Sequence, residues 1–503
     1  MAQPSVVIIG AGIGGLAAAL RLSHAGCGVT VLEAHATPGG KMRTVPSSSG
    51  PVDAGPTVLT MRPVFEELFA DVGETLSDHL TLAPLTTLAR HYWSDGTRMD
   101  LFANREQSAL AVKDAFGTQA ASDFSAFSDR AARLFAAFDG PMMRSAAPTQ
   151  SALTMEVLRQ PRLIGDMAPH RTLHQLLKRS FREPKLVQLF GRYATYVGGL
   201  PQAVPAILSL IWQAEASGVW AVQGGMHQVA TTLATLAEKH GAVFRYGTAA
   251  TRLVKQGGRI SGIETTDQRL PADCVLFNGD PRALRSGLLG PAVEDAVGAE
   301  ATAPRSLSAD VMAFDAAYHG PDLSHHTVFF ADEEMAEFEP LAQDERPTDA
   351  TLYICAQDHP APATTRQRFE IIRNAPAGLT DTQEDHQRCQ TQIIDRLGQF
   401  GLTFDPLPKQ TALTTPMQFD TLFPASQGSL YGRSPQGLMA AFKRPTARTA
   451  VKGLYLCGGG AHPGAGVPMA TLSGQHAAAA ILSDHALTSP SHQTAMHGGM
   501  STA

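Results

Sequence analysis

Cysteine is scarce in this chain: Cys27, Cys274, Cys355, Cys389 and Cys457 are scattered over 503 residues, with no C-x-x-C pair and no metal-ligand spacing. That scatter excludes a disulfide framework and a zinc module, and it suits buried thiols in a reducing compartment. Charge is thin as well, 17% of residues with a net of -6, which excludes a general attraction to nucleic acid. No apolar run reaches the roughly 18 residues that span a bilayer. Met1 to Pro4, ahead of the first apolar stretch, is too short for the charged and apolar regions of a secretory signal. A cytoplasmic protein is expected, with contact at a membrane surface left open. His325-His326 has no third ligand at a recognisable spacing and reads as a polar loop, so no metal is expected.

What the chain does have is glycine at meaningful places. Its length exceeds the usual single core, so two or more domains are expected. Apolar Ser5 to Ile9 reads as a buried strand, and Gly10, Gly12 and Gly15 complete a G-x-G-x-x-G spacing before an Ala/Leu-rich helical run. Such glycines allow a tight turn, close approach of backbone amides to a pyrophosphate, and helix–strand packing, with the helix N-terminus facing the phosphates. A second strand, Gly28 to Leu32, ends at Glu33, whose carboxylate can accept from both hydroxyls of an adenosine ribose and would repel a 2′-phosphate. NADP is thereby excluded. Gly39, Gly40, Lys41 and Arg43 continue into a second glycine turn with two cations. This extension resembles the N-terminal signature of the FAD-dependent amine oxidase and phytoene desaturase superfamily, which implies FAD and places Gly40, Lys41 and Arg43 near its pyrophosphate or flavin edge.

Further along, Asp53-Ala54-Gly55-Pro56-Thr57 resembles the D-x-G-P-T segment of bacterial carotenoid desaturases, which implies that Thr57 and Val58 run beside the flavin. Residues 63–72 read as helix, and 80–102 as a hairpin turning at Ser94-Asp95-Gly96-Thr97. From about 105 to 215 the pattern is mainly helical, with Phe124, Phe127, Ala131, Leu134 and Phe138 in one stripe and Leu173, Leu176 and Leu177 in another. Val204, Ile207, Leu208 and Ile211, widened by Leu210 and Trp212, form a third, readable as core or as the wall of an apolar tunnel or a membrane-dipping helix. A helix at 227–240, strands within 242–263 and a buried strand at 272–278 resemble the returning half of the FAD domain. The resemblance implies that Ala250 meets the adenine through its backbone and that Asn278 lies near the cofactor. Between 290 and 445, probable strands at 311–314, 327–330, 351–355 and 369–373 accompany one helix, 382–400.

Near the C-terminus, a strand at 453–457 runs into Gly458-Gly459-Gly460, and Ala461-His462-Pro463-Gly464-Ala465-Gly466-Val467-Pro468-Met469 opens a helix whose N-terminus can face an anion. This stretch resembles the C-terminal signature of bacterial-type carotenoid desaturases and adds Gly459, Gly460, Val467, Pro468 and Met469 to the expected cofactor contacts, with His462 nearby. Together with Tyr193 to Gly199 and Gly428 to Gly432, it is most similar to the 1-hydroxycarotenoid 3,4-desaturase, or hydroxyneurosporene desaturase, branch. The resemblance implies an α/β fold: a Rossmann-like FAD-binding domain (1–75, 222–285, 448–484), a discontinuous sheet-and-helix substrate domain (76–221, 286–447), and a disordered tail (485–503). It implies a C3–C4 desaturase of acyclic 1-hydroxycarotenoids, peripherally membrane-associated. A phytoene or neurosporene desaturase is the alternative, an FAD amine oxidase a more distant one, and a redox-inactive binding protein on the same scaffold is disfavoured by the intact glycines. No catalytic base, electron acceptor or oligomeric state is legible.

Overall fold

The computed structural model describes residues 4–488. A five-stranded parallel sheet runs in the order Leu454–Leu456, Cys274–Phe277, Ser5–Ile9, Gly28–Leu32, Val243–Arg245, so three distant chain segments supply it. Strand alternation sorts its side chains onto two faces. Val6 and Ile8 pack under the helices Ile13–His24, His227–Lys239 and Val467–Thr488, whereas Val7 packs with Leu253 and Ile263 of an antiparallel three-stranded sheet on the other side. Burial on both faces explains why these strands read as continuous apolar runs.

The second large sheet follows the path Thr403–Asp405, Ser308–His319, Gln367–Ala375, Leu352–Ala356, His326–Phe329, Thr87–Tyr92, Arg98–Phe102, with Leu413–Thr414 paired off this path to Ser308–His319. The expected hairpin is present as Thr87–Tyr92 with Arg98–Phe102, and its first strand lies parallel to His326–Phe329. Alternation again divides the faces. Met312, Phe314, Ile354 and Ile371 meet the helix Gln383–Gln399, while Ala309, Val311, Tyr353 and Ile372 face a large cavity.

Across that cavity lies the helical layer. The stripe Phe124, Phe127, Ala131, Leu134 and Phe138 is buried on Thr118–Phe138, and Phe127, Phe181 and Trp212 crowd around Phe190 with ring centroids 4.8–5.5 Å apart. Such aromatic packing adds to plain area burial. The third stripe divides: Val204 and Trp212 are core, but Ile207, Leu208, Leu210 and Ile211 wall the cavity. Among the described residues no helix is long and apolar enough to cross a membrane.

Two expectations are corrected. His325-His326 is no polar loop: both rings are buried, His326 opens a strand, and its pairing with Cys355 brings that thiol 3.7 Å from His325 Nε2. The third group was hidden because strand pairing, not sequence spacing, supplies it. Burial pushes the Cys355 thiol far up, and His326 Nδ1 is engaged by the Tyr353 hydroxyl at 2.7 Å, so the cluster is a hydrogen-bonded one. Residues 485–488, expected in the disordered tail, belong instead to the last helix, Val467–Thr488. Ala486 and Leu487 favour helix. The rest of that segment lies outside the described residues.

Candidate active site

One cavity of about 890 Å³ has a lining that extends from Glu33 and Ala250 at the parallel sheet, past the glycine turns, to Phe138, Leu153 and Met167 in the helical layer. Gly10, at φ +97, makes the first turn, and Asn278 ties that turn down by donating from Nδ2 to the Gly10 and Gly12 carbonyls at 3.0 and 3.2 Å. Its Oδ1 accepts from the Cys457 thiol, so one side chain joins three strand ends. Gly10, Gly12 and Asn278 line the cavity; Gly15 does not. A Cβ on Gly15 would fall 2.3 Å from the Gly10 oxygen, so its role is to let helix and strand close.

Glu33 is buried, and its carboxylate accepts the Ala11 and His35 amides at 2.7 and 2.9 Å. A carboxylate has about four acceptor positions, so capacity remains for a ribose on the cavity side. Gly40 and Lys41 also line the cavity. The Lys41 ammonium donates to the carbonyls of Ser429 and Leu430, and burial lowers its pKa to about 8. Arg43 departs from expectation. It is absent from the cavity wall, and its guanidinium donates to Thr414 and stacks 5.6 Å from the Phe419 ring. The chain reverses after Met42 into the Thr44–Val45 strand, which turns Arg43 toward the second sheet.

Thr57, Val58, Gly459, Gly460, Val467, Pro468 and Met469 all line the cavity. Gly459 tests whether a ligand fits. Its backbone is not left-handed and an added Cβ would meet only one atom, 4.0 Å away, so neither strain nor packing accounts for a glycine there. Open backbone at Gly459, a helix N-terminus at Val467 to Met469 and spare acceptors on Glu33 fit an adenosine-to-flavin dinucleotide. His462 lines the same wall, hydrogen-bonded through Nε2 to the Ser145 carbonyl at 2.8 Å, with its pKa lowered by burial to about 4.

Sequence reasoning missed a buried polar group in the cavity wall. Arg192 and Glu215 are each 5% exposed and line the cavity with Tyr196, whose ring lies 4.8 Å from the Arg192 guanidinium. Tyr193 donates to Glu215 at 2.8 Å. Burial pushes the Glu215 carboxyl up, opposed by the Arg192 charge. The available signal was a single arginine inside the otherwise uncharged stretch from Leu186 to Leu200.

The model of the family described as flavin containing amine oxidoreductase matches residues 13–482. A hydroxyneurosporene desaturase of Cereibacter sphaeroides is 54% identical over 96% of this chain and 98% of its own length. One of Rubrivivax gelatinosus is 42% identical over 100% and 98%. Among solved structures, cyclohexylamine oxidase from Brevibacterium oxydans superposes with a TM-score of 0.59 over 96% of this chain and all of its own, at 18% identity, a likeness of fold alone. A glycine cradle built from both chain ends, a carboxylate at the close of the second strand and a match along nearly the whole chain converge: the chain belongs to the flavin-containing amine oxidoreductase family, within it to the group of the hydroxyneurosporene desaturases, and its cofactor is FAD.

Proposed function

We propose that this enzyme introduces the C3–C4 double bond into acyclic carotenoids that carry a tertiary hydroxyl at C1. The observation that carries the reading is a single cavity joining the glycine cradle to an apolar wall of Ile207, Leu208, Leu210, Ile211 and Phe138, in a chain 54% identical to a hydroxyneurosporene desaturase. Neither the phytoene alternative nor the amine oxidase one is favoured by those relatives. Gly10, Gly12 and Gly40 take the pyrophosphate in this reading, Glu33 the ribose, Ala250 the adenine, and Thr57, Val58 and Val467 to Met469 border the flavin.

FAD, when bound, supplies the acceptor for a hydride. The chain's own contribution is binding and dryness. Aliphatic and thioether side chains hold the polyene against the reacting position, which converts an encounter into an oriented contact. The positive charge left on a carbon beside the polyene is delocalised by the substrate itself until a proton leaves the neighbouring carbon and the double bond closes, so the wall need offer few polar groups.

The substrate is a lipid, and the protein is proposed to take it from a membrane surface. Supporting this, Met155, Leu158 and Ile164 stand 52%, 68% and 54% exposed on the helices Gln150–Arg159 and Arg162–Met167, whose Leu153 and Met167 line the cavity. Exposed Arg159 and Arg162 flank them and suit anionic headgroups.

Purified protein reconstituted with FAD and given a 1-hydroxylated acyclic carotenoid in detergent is expected to yield a pigment two hydrogens lighter with a red-shifted spectrum. Recovery of the unchanged pigment alongside desaturation of phytoene would replace the reading with the phytoene one.

A further inference from the structure

Apart from the ionisable residues at the glycine cradle, the cavity lining holds two buried ionisable side chains, Arg192 and Glu215, and the sequence resemblance gives them no role. Tyr196 hydrogen-bonds to both, and Tyr193 to Glu215, yet two donors of the group are left over. Arg192 Nε and Nη2 find no acceptor in the protein, and His326 Nε2 beside them finds no partner either. Buried donors without acceptors are costly and call for an explanation. A void of about 10 Å³, lined by Tyr196, Glu215, His326 and Tyr353 and by apolar Val58, Leu88, Ala89 and Val219, adjoins the cavity at this point. That is on the scale of one water-sized group.

Position matters as much as chemistry. Tyr353 donates or accepts at 2.6 Å with Thr57 and at 2.7 Å with His326, so the group abuts the Thr57-Val58 segment that borders the flavin in the proposed reading. In a 1-hydroxylated carotenoid desaturated between C3 and C4, four bonds separate the oxygen from C4. With carbon–carbon bonds of about 1.5 Å, the hydroxyl cannot lie more than roughly 5 Å from the reacting carbon. A residue that reads this hydroxyl therefore belongs beside the reacting position, not at the far end of the tunnel. Tyr196 and Glu215 share the small void with Val58, and the Arg192 guanidinium lies 4.8 Å from the Tyr196 ring.

We infer that Arg192 and Glu215 are the specificity-determining residues that receive the substrate's tertiary hydroxyl. An alcohol is at once donor and acceptor. Its oxygen accepts from the Arg192 guanidinium, and its proton is donated to the Glu215 carboxyl group, which Tyr193 holds from behind. A carotenoid lacking the hydroxyl leaves the Arg192 Nε and Nη2 donors without an acceptor in the cavity wall, which is how a polar pocket rejects an apolar analogue. Hydrocarbon substrates of the same length are accordingly poor ones.

The inference rests on the proposed reading, and the test separates the two. Initial rates are measured for FAD-loaded wild type, Glu215→Gln and Arg192→Lys with a 1-hydroxylated acyclic carotenoid and with the same polyene lacking the hydroxyl. Wild type alone tests the reading: it should favour the hydroxylated substrate in kcat/KM by at least about tenfold. The ratio in the variants tests the residues. Glu215→Gln is nearly isosteric and keeps an acceptor for Tyr193, so it should fold and bind FAD with an unchanged flavin spectrum. Its preference should fall at least about fivefold, through slower use of the hydroxylated substrate, while turnover of the hydrocarbon is retained. Arg192→Lys should fall in the same direction. A wild-type preference that survives in both variants would overturn the assignment and leave the reading standing; no preference in wild type would overturn both.

Discussion

Glu370 shows how a single side chain can set a pH limit on the fold. It is fully buried on the strand Gln367–Ala375, both carboxyl oxygens lack a partner, and burial, with Asp53 adding to it, pushes its pKa well above the ordinary value. A carboxyl with a raised folded-state pKa binds its proton more tightly in the folded chain than in the unfolded one. Between the unfolded value of about 4.3 and the raised folded one, stability therefore falls as pH increases. Glu370→Gln keeps the shape and removes the titration. The thermal midpoint of the FAD-saturated variant should exceed that of wild type by a margin that widens steadily from about pH 5 upward. Midpoints measured from pH 5 to 9 that differ by a constant amount would show that Glu370 does not titrate there. Nothing in the sequence marked this residue, since one glutamate in a strand that also carries Gln367, Arg368, Arg373 and Asn374 is visible as buried only once the sheet is assembled.

At the scale of elements, the two ends of the chain meet through glycine. Helix Ile13–His24 lies against Val467–Thr488, and a Cβ added at Gly474 would fall 2.1 Å from the Gly14 carbonyl oxygen. The obstacle is backbone, which cannot swing aside as a side chain would. Gly474→Ala should therefore separate the helices and cost about 1–3 kcal/mol. Because Gly14 and the first turn of the second helix both line the cofactor cavity, flavin affinity should fall together with the thermal midpoint. Thermal unfolding and a flavin titration on one preparation check this; a destabilised protein that binds FAD as tightly as wild type would show that the helix contact and the cradle are independent. These elements were legible because local pattern decides them: Ser5–Ile9 and Gly28–Leu32 match the expected bounds, and the cradle glycines follow a fixed spacing. Less legible was whatever depends on pairing between distant segments. Arg43 carries the charge expected of a phosphate ligand but turns toward Thr414, some 370 residues away, and Glu334–Ala342, a helix with Pro340 inside it, gave no periodic signal. Arg192 and Glu215 became a site only when the strands and helices on either side of the cavity closed around them.

For the whole molecule, the proposed uptake of substrate from a membrane needs a docking surface other than a membrane-crossing helix, since none is found among the described residues. The proposed answer is the pair of helices Gln150–Arg159 and Arg162–Met167, which turn Leu153 and Met167 inward to the cavity and Met155, Leu158 and Ile164 outward. Outward apolar side chains of this size are worth about 1.5–3 kcal/mol each when fully removed from water. Three of them with flanking arginines suffice for a reversible attachment but not for an integral one. Met155→Glu combined with Leu158→Glu should reduce binding to anionic phospholipid vesicles by at least about tenfold, since both apolar gain and charge attraction are reversed. Neither residue lines the cavity, so flavin content and turnover of detergent-dissolved substrate should match wild type while turnover of vesicle-dissolved substrate drops. Wild-type protein should leave the vesicles in an alkaline carbonate wash, as a peripheral protein does. Equal vesicle binding by the double variant and wild type would place the docking surface elsewhere on the molecule, and retention of wild type after the wash would mean that more of the chain enters the bilayer than these two helices.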